Sequence, residues 1–298
     1  MTGLWNLIRR NCKLFFKDKG AFFSSLITPI ILLVLYSTFL ANVYHDSFVS
    51  SLPEGFTVSE ELINATVAGQ LISSLLAVSA ITVSFCANMI MVTDKITGAS
   101  KDMAITPVKR SVTALGYYIA TTLVTLAICF IALGAGLGYV ASVGWFLSAR
   151  DVFSLMLDVL LLVTIGTALS SIINYFLTSQ GQISAVGSIV SAGYGFICGA
   201  YMPISSFGEG LRKVISFLPG TYGTSLLRCH SLNGVFAEMQ NSGIPDSAIE
   251  GLRDGIDCNL YFFGSRVEEG VKYLIIAGSA AALILIYIAI NKFAGKRK

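Results

Sequence analysis

The stretch TDKITGASKDMAITPVKRSVT, residues 93–113, decides how this chain folds. It is a short polar segment between two long apolar runs, and it holds four basic residues: Lys95, Lys101, Lys109 and Arg110. Because basic residues are concentrated in the cytoplasmic loops of membrane proteins, the segment predicts a cytoplasmic loop between two membrane helices. Pro107 lacks a backbone N–H and restricts the residue before it, so it ends any helix begun near Thr97.

The composition of the whole chain is that of a membrane protein. Of its 298 residues, 54% are hydrophobic and 12% are charged, and that charged fraction is about half the fraction usual in soluble domains. The net charge of +3 does not indicate nucleic-acid binding, because basic residues gather at membrane edges. We therefore expect an all-α protein that contacts membrane lipid and binds no nucleic acid.

Six runs without charge, or nearly so, predict six transmembrane helices, since a bilayer needs about 20 apolar residues. They cover residues 22–44, 67–92, 114–139, 152–177, 183–201 and 273–290. Of the 20 basic residues, five lie before the first span, four in the central loop and four in the C-terminal tail. This distribution predicts a multi-pass protein of the cell membrane with both termini in the cytoplasm.

Two segments outside the spans have patterns of their own. Residues 3–19 predict a cytoplasmic amphipathic helix on the inner leaflet, because apolar residues recur at helical spacing and basic residues fall largely on other faces. Residues 236–271 are polar and predict a small external subdomain. Cys229 and Cys258 both fall outside in this topology and could pair, since disulfides form in oxidising compartments.

Polar and small residues within the spans predict where helices meet. The second span carries Gln70, Thr82 and Asn88, which either hydrogen-bond to other helices or line a substrate path. A ridge of small residues follows one face of the fifth span and predicts close packing against a neighbour or a second copy: Gly187, Ser191, Gly195 and Gly199. Asp158 is an intramembrane carboxylate, either functional or satisfied by local donors.

The central loop resembles the cytoplasmic coupling loop of the ATP-binding-cassette (ABC) type-2 permeases. An acid and a base leave the second span, a glycine follows, and about two helical turns lead to Thr-Pro-Val and a basic pair. The residues in this pattern are Asp94, Lys95, Gly98, Lys101, Thr106, Pro107, Val108, Lys109 and Arg110. In that family the loop sits in a groove of a separate ATPase subunit, so the resemblance implies that these residues couple the permease to an ATPase.

A second resemblance to this family follows the fifth span. In the family a helical hairpin there dips into the outer leaflet, with a proline at its tip and a tyrosine and an arginine after it. The matching residues are Pro203, Pro219, Tyr222 and Arg228. The resemblance implies a re-entrant external hairpin between the fifth and sixth helices within residues 204–271, as in type V ABC exporters. It is either a lid over the exit or a structural cap.

The chain has no visible chemistry of its own. It lacks the phosphate loop G-x-x-x-x-G-K-[ST], a metal-ligand spacing and a catalytic triad. We therefore expect no catalytic residue, metal or cofactor here, with ATP and Mg on a partner.

Over residues 1–298 the resemblance implies a single transmembrane domain, the permease of an ATP-driven exporter that moves a drug, an antibiotic, a peptide or a lipid-like substrate. It implies a second permease subunit, identical or paralogous, besides the ABC ATPase. The implied path runs between the second and fifth helices, for which we predict five lining residues: Gln70, Thr82, Asn88, Ser191 and Tyr194. The alternatives are an ion-gradient-driven secondary transporter, for which Asp158 is thin support, and a membrane enzyme, for which no polar cluster is visible.

Overall fold

A computed structural model describes residues 2–35 and 59–293 of the chain. Within these residues it has eleven α-helices, one short 3₁₀ helix at Ile204–Ser206 and one β-hairpin. The helices are α1 Thr2–Lys17, α2 Lys19–Leu35, α3 Glu60–Ile96, α4 Ala99–Ala104, α5 Arg110–Val143, α6 Ala149–Phe176, α7 Gln180–Ile197, α8 Glu209–Ile215, α9 Pro219–Asn241, α10 Asp246–Gly255 and α11 Glu269–Phe293. The antiparallel strands are β1 Tyr261–Phe262 and β2 Ser265–Arg266.

Four of the described helices, α3, α5, α6 and α11, are long and apolar enough to cross a membrane. The prediction of an all-α membrane protein is thereby confirmed. The helices α2 and α7 fall on the first and fifth predicted spans, but α2 is shorter and residues 36–44 lie outside the described residues. The number of six spans stays a prediction.

The long helix α3 is the centre of the bundle. It packs against α2, α5, α6, α7 and α9 and is buried along most of its length. Its hydroxyls are accommodated there because several donate to carbonyls one turn earlier, as Ser84 Oγ does to Ala80 O at 2.6 Å. Gly166 of α6 passes close to the same turn, and a Cβ at Gly166 would lie 2.8 Å from Ala80 O.

The amphipathic helix α1 is present, but much of its apolar face packs on protein rather than on lipid. Phe15 is fully buried and Ile8 nearly so, and Leu7 lies against Gly116 of α5. Trp5 is 63% exposed, and the predicted contact of α1 with the inner leaflet stays a prediction. The helical spacing of apolar residues predicts this helix, but an apolar helical face fits a neighbouring helix as well as a membrane surface.

The helix α9 runs beside the first half of α6. A Cβ at Gly223 would lie 2.4 Å from Leu162 Cδ2, near the middle of α6, and one at Gly234 would meet the Phe146 carbonyl just before α6 begins. The helix α9 continues past Phe146 because Gly234 has no side chain to clash with the Phe146 carbonyl. Passage of the α8–α9 segment into a bilayer stays a prediction.

The β-hairpin was not predicted from the sequence. Phe263 and Gly264 form its two-residue turn, with φ angles of 48° and 88°. Two-residue turns of this kind usually have the sequence Asn-Gly. Because phenylalanine occupies the first position here, the sequence does not indicate a hairpin. The Phe263 side chain is 66% exposed and packs edge-on against Phe262 and Phe217.

We expect Phe263→Asn to be more stable than Phe263→Ala by about 0.5–1 kcal/mol, because asparagine tolerates positive φ far better. Both variants remove the ring, so the difference between them isolates the backbone contribution. Thermal unfolding of the purified chain measures it. Equal stabilities of the two variants would show that this turn carries no backbone strain.

Candidate functional site

A cavity of about 1360 Å³ lies between α1, α2, α3 and α7. This exceeds the roughly 300–1,000 Å³ of pockets that hold drug-sized ligands. Most of its wall is apolar or small, with Met89 and Ile90 from α3 and Ser188 and Ser191 from α7. Arg10, Asp94 and the start of α4 close one end, and Phe196 and Tyr201 lie towards the other.

The five residues predicted to line the path are not together. Ser191 lines the cavity, whereas Gln70, Thr82 and Asn88 are buried in the packing around α3 and are not among its lining residues. Tyr194 lies beside Gly220, and its buried hydroxyl has no hydrogen-bond partner among the described residues. The wall from α3 is formed instead by Cys86, Met89, Ile90, Thr93, Asp94 and Thr97.

Asn88 joins three helices. Its Nδ2 donates to Ser170 Oγ at 3.1 Å and to Ser171 Oγ at 2.9 Å, both on α6. Its Oδ1 accepts from Thr121 Oγ1 of α5 at 3.4 Å. The helix-to-helix alternative left open by the sequence therefore accounts for this polar residue of α3.

Asp94 ties the end of α3 to the N-terminal helix. Both of its carboxylate oxygens accept from the Arg10 guanidinium, at 2.6 and 2.7 Å, and the Tyr117 hydroxyl of α5 also donates to it. The hydrogen bond to Asp94 raises the pKa of Arg10, although partial burial opposes the shift. Two-point pairing of this kind fixes geometry as well as charge. Asp94 is only 4% exposed, so it acts within the chain.

Lys95 ties the same end of α3 to α6. Its Nζ donates to the carbonyl oxygens of Asn174 at 2.9 Å, Tyr175 at 2.6 Å and Leu177 at 3.1 Å. These carbonyls lie at and just after the C-terminal end of α6, where the helix dipole attracts a cation. The predicted acid–base pair thus holds α3 to α1 on one side and to α6 on the other.

The remaining coupling residues project outward. Gly98, with φ 88°, separates α3 from α4 in a conformation that glycine adopts without strain. After α4, Ile105 is 87% exposed, an apolar side chain that the motif did not single out. The residues around it are exposed too, with Val108 half-buried: Lys101, Thr106, Pro107, Lys109 and Arg110.

The four residues of the predicted external gate fall on the segment that runs from the end of α7 into α9. Pro203 precedes the 3₁₀ helix and Pro219 is the first residue of α9. Tyr222 donates its hydroxyl to Ser216 O at 2.6 Å. The buried Arg228 donates to Gly199 O at 2.6 Å and, from its other terminal nitrogen, to Ile256 O at 2.8 Å. Tyr222 and Arg228 therefore anchor the segment internally, whereas the two prolines stand at helix boundaries, and the gate role of all four stays a prediction.

The possible pairing of Cys229 and Cys258 stays a prediction. Cys229 and Cys258 are both free thiols. They are nevertheless neighbours, because the Cys229 thiol donates to the Cys258 carbonyl oxygen at 3.1 Å.

Asp158 belongs to a charged cluster whose other members the sequence did not reveal. Its Oδ2 lies 2.6 Å from His230 Nδ1 and its Oδ1 accepts from the Tyr273 hydroxyl at 2.8 Å. His230 Nε2 is 3.2 Å from Glu269 Oε1. Burial lowers the pKa of His230, but the hydrogen bonds and charges of Asp158 and Glu269 outweigh it and raise that pKa to about 9.

The family model described as ABC-2 type transporter matches residues 2–229. The chain belongs to this family. The match covers the cavity helices, the coupling segment and most of the anchored α8–α9 segment, so the resemblance is confirmed. No curated protein matches the chain.

An ABC-2 transporter chain is the membrane component of its system and is generally not the catalytic one, and it normally works with an ABC ATPase subunit. In this ABC-2 chain the described residues hold no group of three or more His, Cys, Asp or Glu side chains that could bind a metal ion. What the described arrangement offers is a large cavity and a charged connection from it to an exposed segment.

Proposed function

We propose that this chain is the permease subunit of an ATP-driven exporter, which moves a drug, antibiotic, peptide or lipid-like substrate outward from the cytoplasm or inner leaflet. ATP and Mg bind to the separate ATPase subunit. The observation that carries the proposal is the continuous connection from the exposed residues 98–110, through Asp94, to the wall of the large cavity.

The exposed segment has the properties of a docking surface for the ATPase. Ile105 is exposed and apolar, and three basic residues near it in the chain, Lys101, Lys109 and Arg110, are exposed too. An apolar anchor with a polar rim is the usual anatomy of a protein interface. Asp94 and Lys95 lie behind this surface and pass its displacement to α1, α3 and α6.

The cavity favours an uncharged or amphipathic substrate. Its walls are mainly apolar, and the charges of Arg10 and Asp94 at one end already neutralise each other. Long apolar side chains of α2, such as Ile27 and Ile31, remain more than half exposed beside it. A lipid-like or drug-like molecule would therefore fit this cavity better than a highly charged one.

A second permease subunit completes the proposed transporter. The helix α7 packs mainly on α3 among the described elements, and its other side exposes Ile189 at 71% and Phe196 at 49%. The small-residue ridge faces the other way, because Ser191 lines the cavity and a Cβ at Gly187 would lie 3.1 Å from Met89 Cε of α3, so the second copy would contact the exposed apolar side of α7. In this arrangement both termini lie in the cytoplasm of a cell whose plasma membrane holds the dimer.

The decisive experiment is to purify the tagged chain from its native membrane and identify its partners by mass spectrometry. We expect a near-stoichiometric ATPase, and about tenfold less of it with Ile105→Asp, because a charge forced into an apolar contact costs at least about 1.4 kcal/mol. Ile105→Leu is the matched control and should retain the ATPase. Recovery without any ATPase, from cells that still transport, would contradict the proposal.

The alternative is a secondary transporter driven by an ion gradient, and the buried Asp158–His230 pair is the observation in its favour. Against it, the Asp158 carboxylate already has His230 and Tyr273 as partners on its two oxygens. Transport that collapses with the ion gradient and persists after deletion of all candidate ATPases would establish this alternative.

A further inference from the structure

Cys229 and Cys258 lie at the wall of a second cavity, of about 620 Å³, on the side of the bundle where α6 and α11 begin. The Cys229 Sγ lies 3.1 Å from the Cys258 carbonyl oxygen. Cys229 is half-buried, whereas Cys258 is 1% exposed. A reagent in the cavity therefore reaches Cys229 first.

Basic side chains lie close to Cys229, although Asp151, Glu268 and Glu269 also line the cavity. Lys272 Nζ lies 3.9 Å from Cys229 Sγ and is held there by hydrogen bonds to Cys258 O at 2.7 Å and to Ser225 Oγ at 2.8 Å. Arg253 and His230 line the same cavity. Cations beside a thiol favour the thiolate, which is the reactive form.

The acidities of the two thiols differ accordingly. A hydrogen bond from Cys258, together with the charges of Lys272, His230 and Arg253, lowers the pKa of Cys229 to about 6 despite its burial. Burial raises the pKa of Cys258 well above its ordinary value. An accessible, acidic thiol next to a second cysteine is the arrangement of redox-active pairs.

We propose that Cys229 and Cys258 form a thiol–disulfide exchange site, in which Cys229 is the nucleophile and Cys258 the resolving thiol. The co-reactant is a disulfide, either small or carried by a protein. The Cys229 thiolate attacks one of its sulfurs, the S–S bond breaks, and one thiolate leaves. Cys258 then attacks Cys229 Sγ, the second thiolate leaves, and the Cys258 proton passes to one of the two released thiolates.

The product would fasten α9 to the segment between α10 and β1. That junction is already bridged by Arg228, next to Cys229, which donates to Ile256 O. The inference rests on the proposed orientation of the chain, which puts this cavity on the external, oxidising side.

The test uses the purified full-length chain, glutathione disulfide as the probe and site-resolved mass spectrometry near neutral pH. We expect a Cys229–Cys258 cross-link in the unaltered chain and a glutathione adduct on Cys229 in Cys258→Ala. In Cys229→Ala we expect Cys258 to react about tenfold more slowly or not at all. Equal reactivity of the two single variants would overturn the assignment of roles.

Cys12 is an internal control, because it is also half-buried but burial raises the pKa of its thiol. We expect Cys229 to react about tenfold faster than Cys12, and equal rates would overturn the inference.

Intact cells separate this chemistry from the proposed orientation. After brief treatment of the cells with a membrane-impermeant reductant, a membrane-impermeant maleimide should label Cys229 and leave Cys12 unlabelled. Labelling of Cys12 without Cys229 would overturn the orientation, and with it the external co-reactant, even if the purified chain shows the exchange.

Discussion

Replacing Asp94 with alanine should abolish coupled transport and destabilise the chain by about 3 kcal/mol, because it leaves the partly buried Arg10 without its carboxylate. The cavity wall then loses its connection to the exposed segment. Thermal unfolding of the purified chain and substrate transport in vesicles with the ATPase present measure the two effects. Asp102→Ala is the matched control for stability, since Asp102 is an exposed acid of α4 and should leave the unfolding temperature unchanged.

The pair itself is tested by a double variant. Arg10→Gln with Asp94→Asn keeps hydrogen-bonding groups on both sides and removes both charges. We expect it to be more stable than the sum of the two single effects by about 1 kcal/mol or more. Simple additivity, with transport intact in Asp94→Ala, would show that this contact does not connect the two regions.

Replacing Asp158 with asparagine should also have a large effect. It removes the charge that holds His230 protonated between α6 and α11, and breaking a buried pair on one side typically costs about 3–5 kcal/mol. Adding His230→Gln should recover most of the loss, because no buried cation then remains unpaired. Thermal unfolding of both variants measures the recovery. A double variant as unstable as Asp158→Asn alone would contradict pairing as the cause.

The same cluster predicts how stability depends on pH. The pKa of His230 is raised to about 9 in the folded chain, above an unfolded value of about 6.5. The stabilisation is therefore complete below about pH 6.5 and is lost as the pH rises through about 9.

We expect the unfolding temperature to fall over that interval and His230→Gln to remove the slope. The acidic Cys229 thiol also titrates there, so both chains should carry Cys229→Ser. The two chains share the other groups of the cluster, Asp158, Glu269 and Tyr273. A difference between their pH profiles therefore reports on His230. An unchanged slope in His230→Gln would assign the pH dependence to another group.

The helices could be predicted from the sequence because the bilayer imposes their length and excludes charge from them. The uncharged interval between Glu61 and Asp94 marked α3, and the break at Gly98 and Pro107 marked the coupling segment. These features are local, so a single chain displays them. The approach of α1 to α5 is not local, since an apolar stripe does not specify what covers it.

The functional detail depended on contacts between distant residues. His230 and Asp158 are separated by 72 positions and Lys95 and Tyr175 by 80, and no spacing rule connects such pairs. The polarity of α3 was visible, but a hydroxyl that meets another helix and one that faces a cavity look the same in sequence. The role of Ile105 could not be predicted, because a single isoleucine next to Thr106 and Pro107 forms no recognisable pattern. Only its exposure in the structure indicates a contact surface.

The double attachment at the end of α3 has a mechanical consequence. Asp94 and Lys95 join the end of α3 to the middle of α1 and to the end of α6 in one stiff body, whereas α7 rests against that body mainly through α3. A force applied at Ile105 therefore tilts α1, α3 and α6 together. The relative movement then occurs at the interface between α3 and α7. The large cavity lies along this interface. A small displacement of the exposed segment therefore changes the width of the cavity directly.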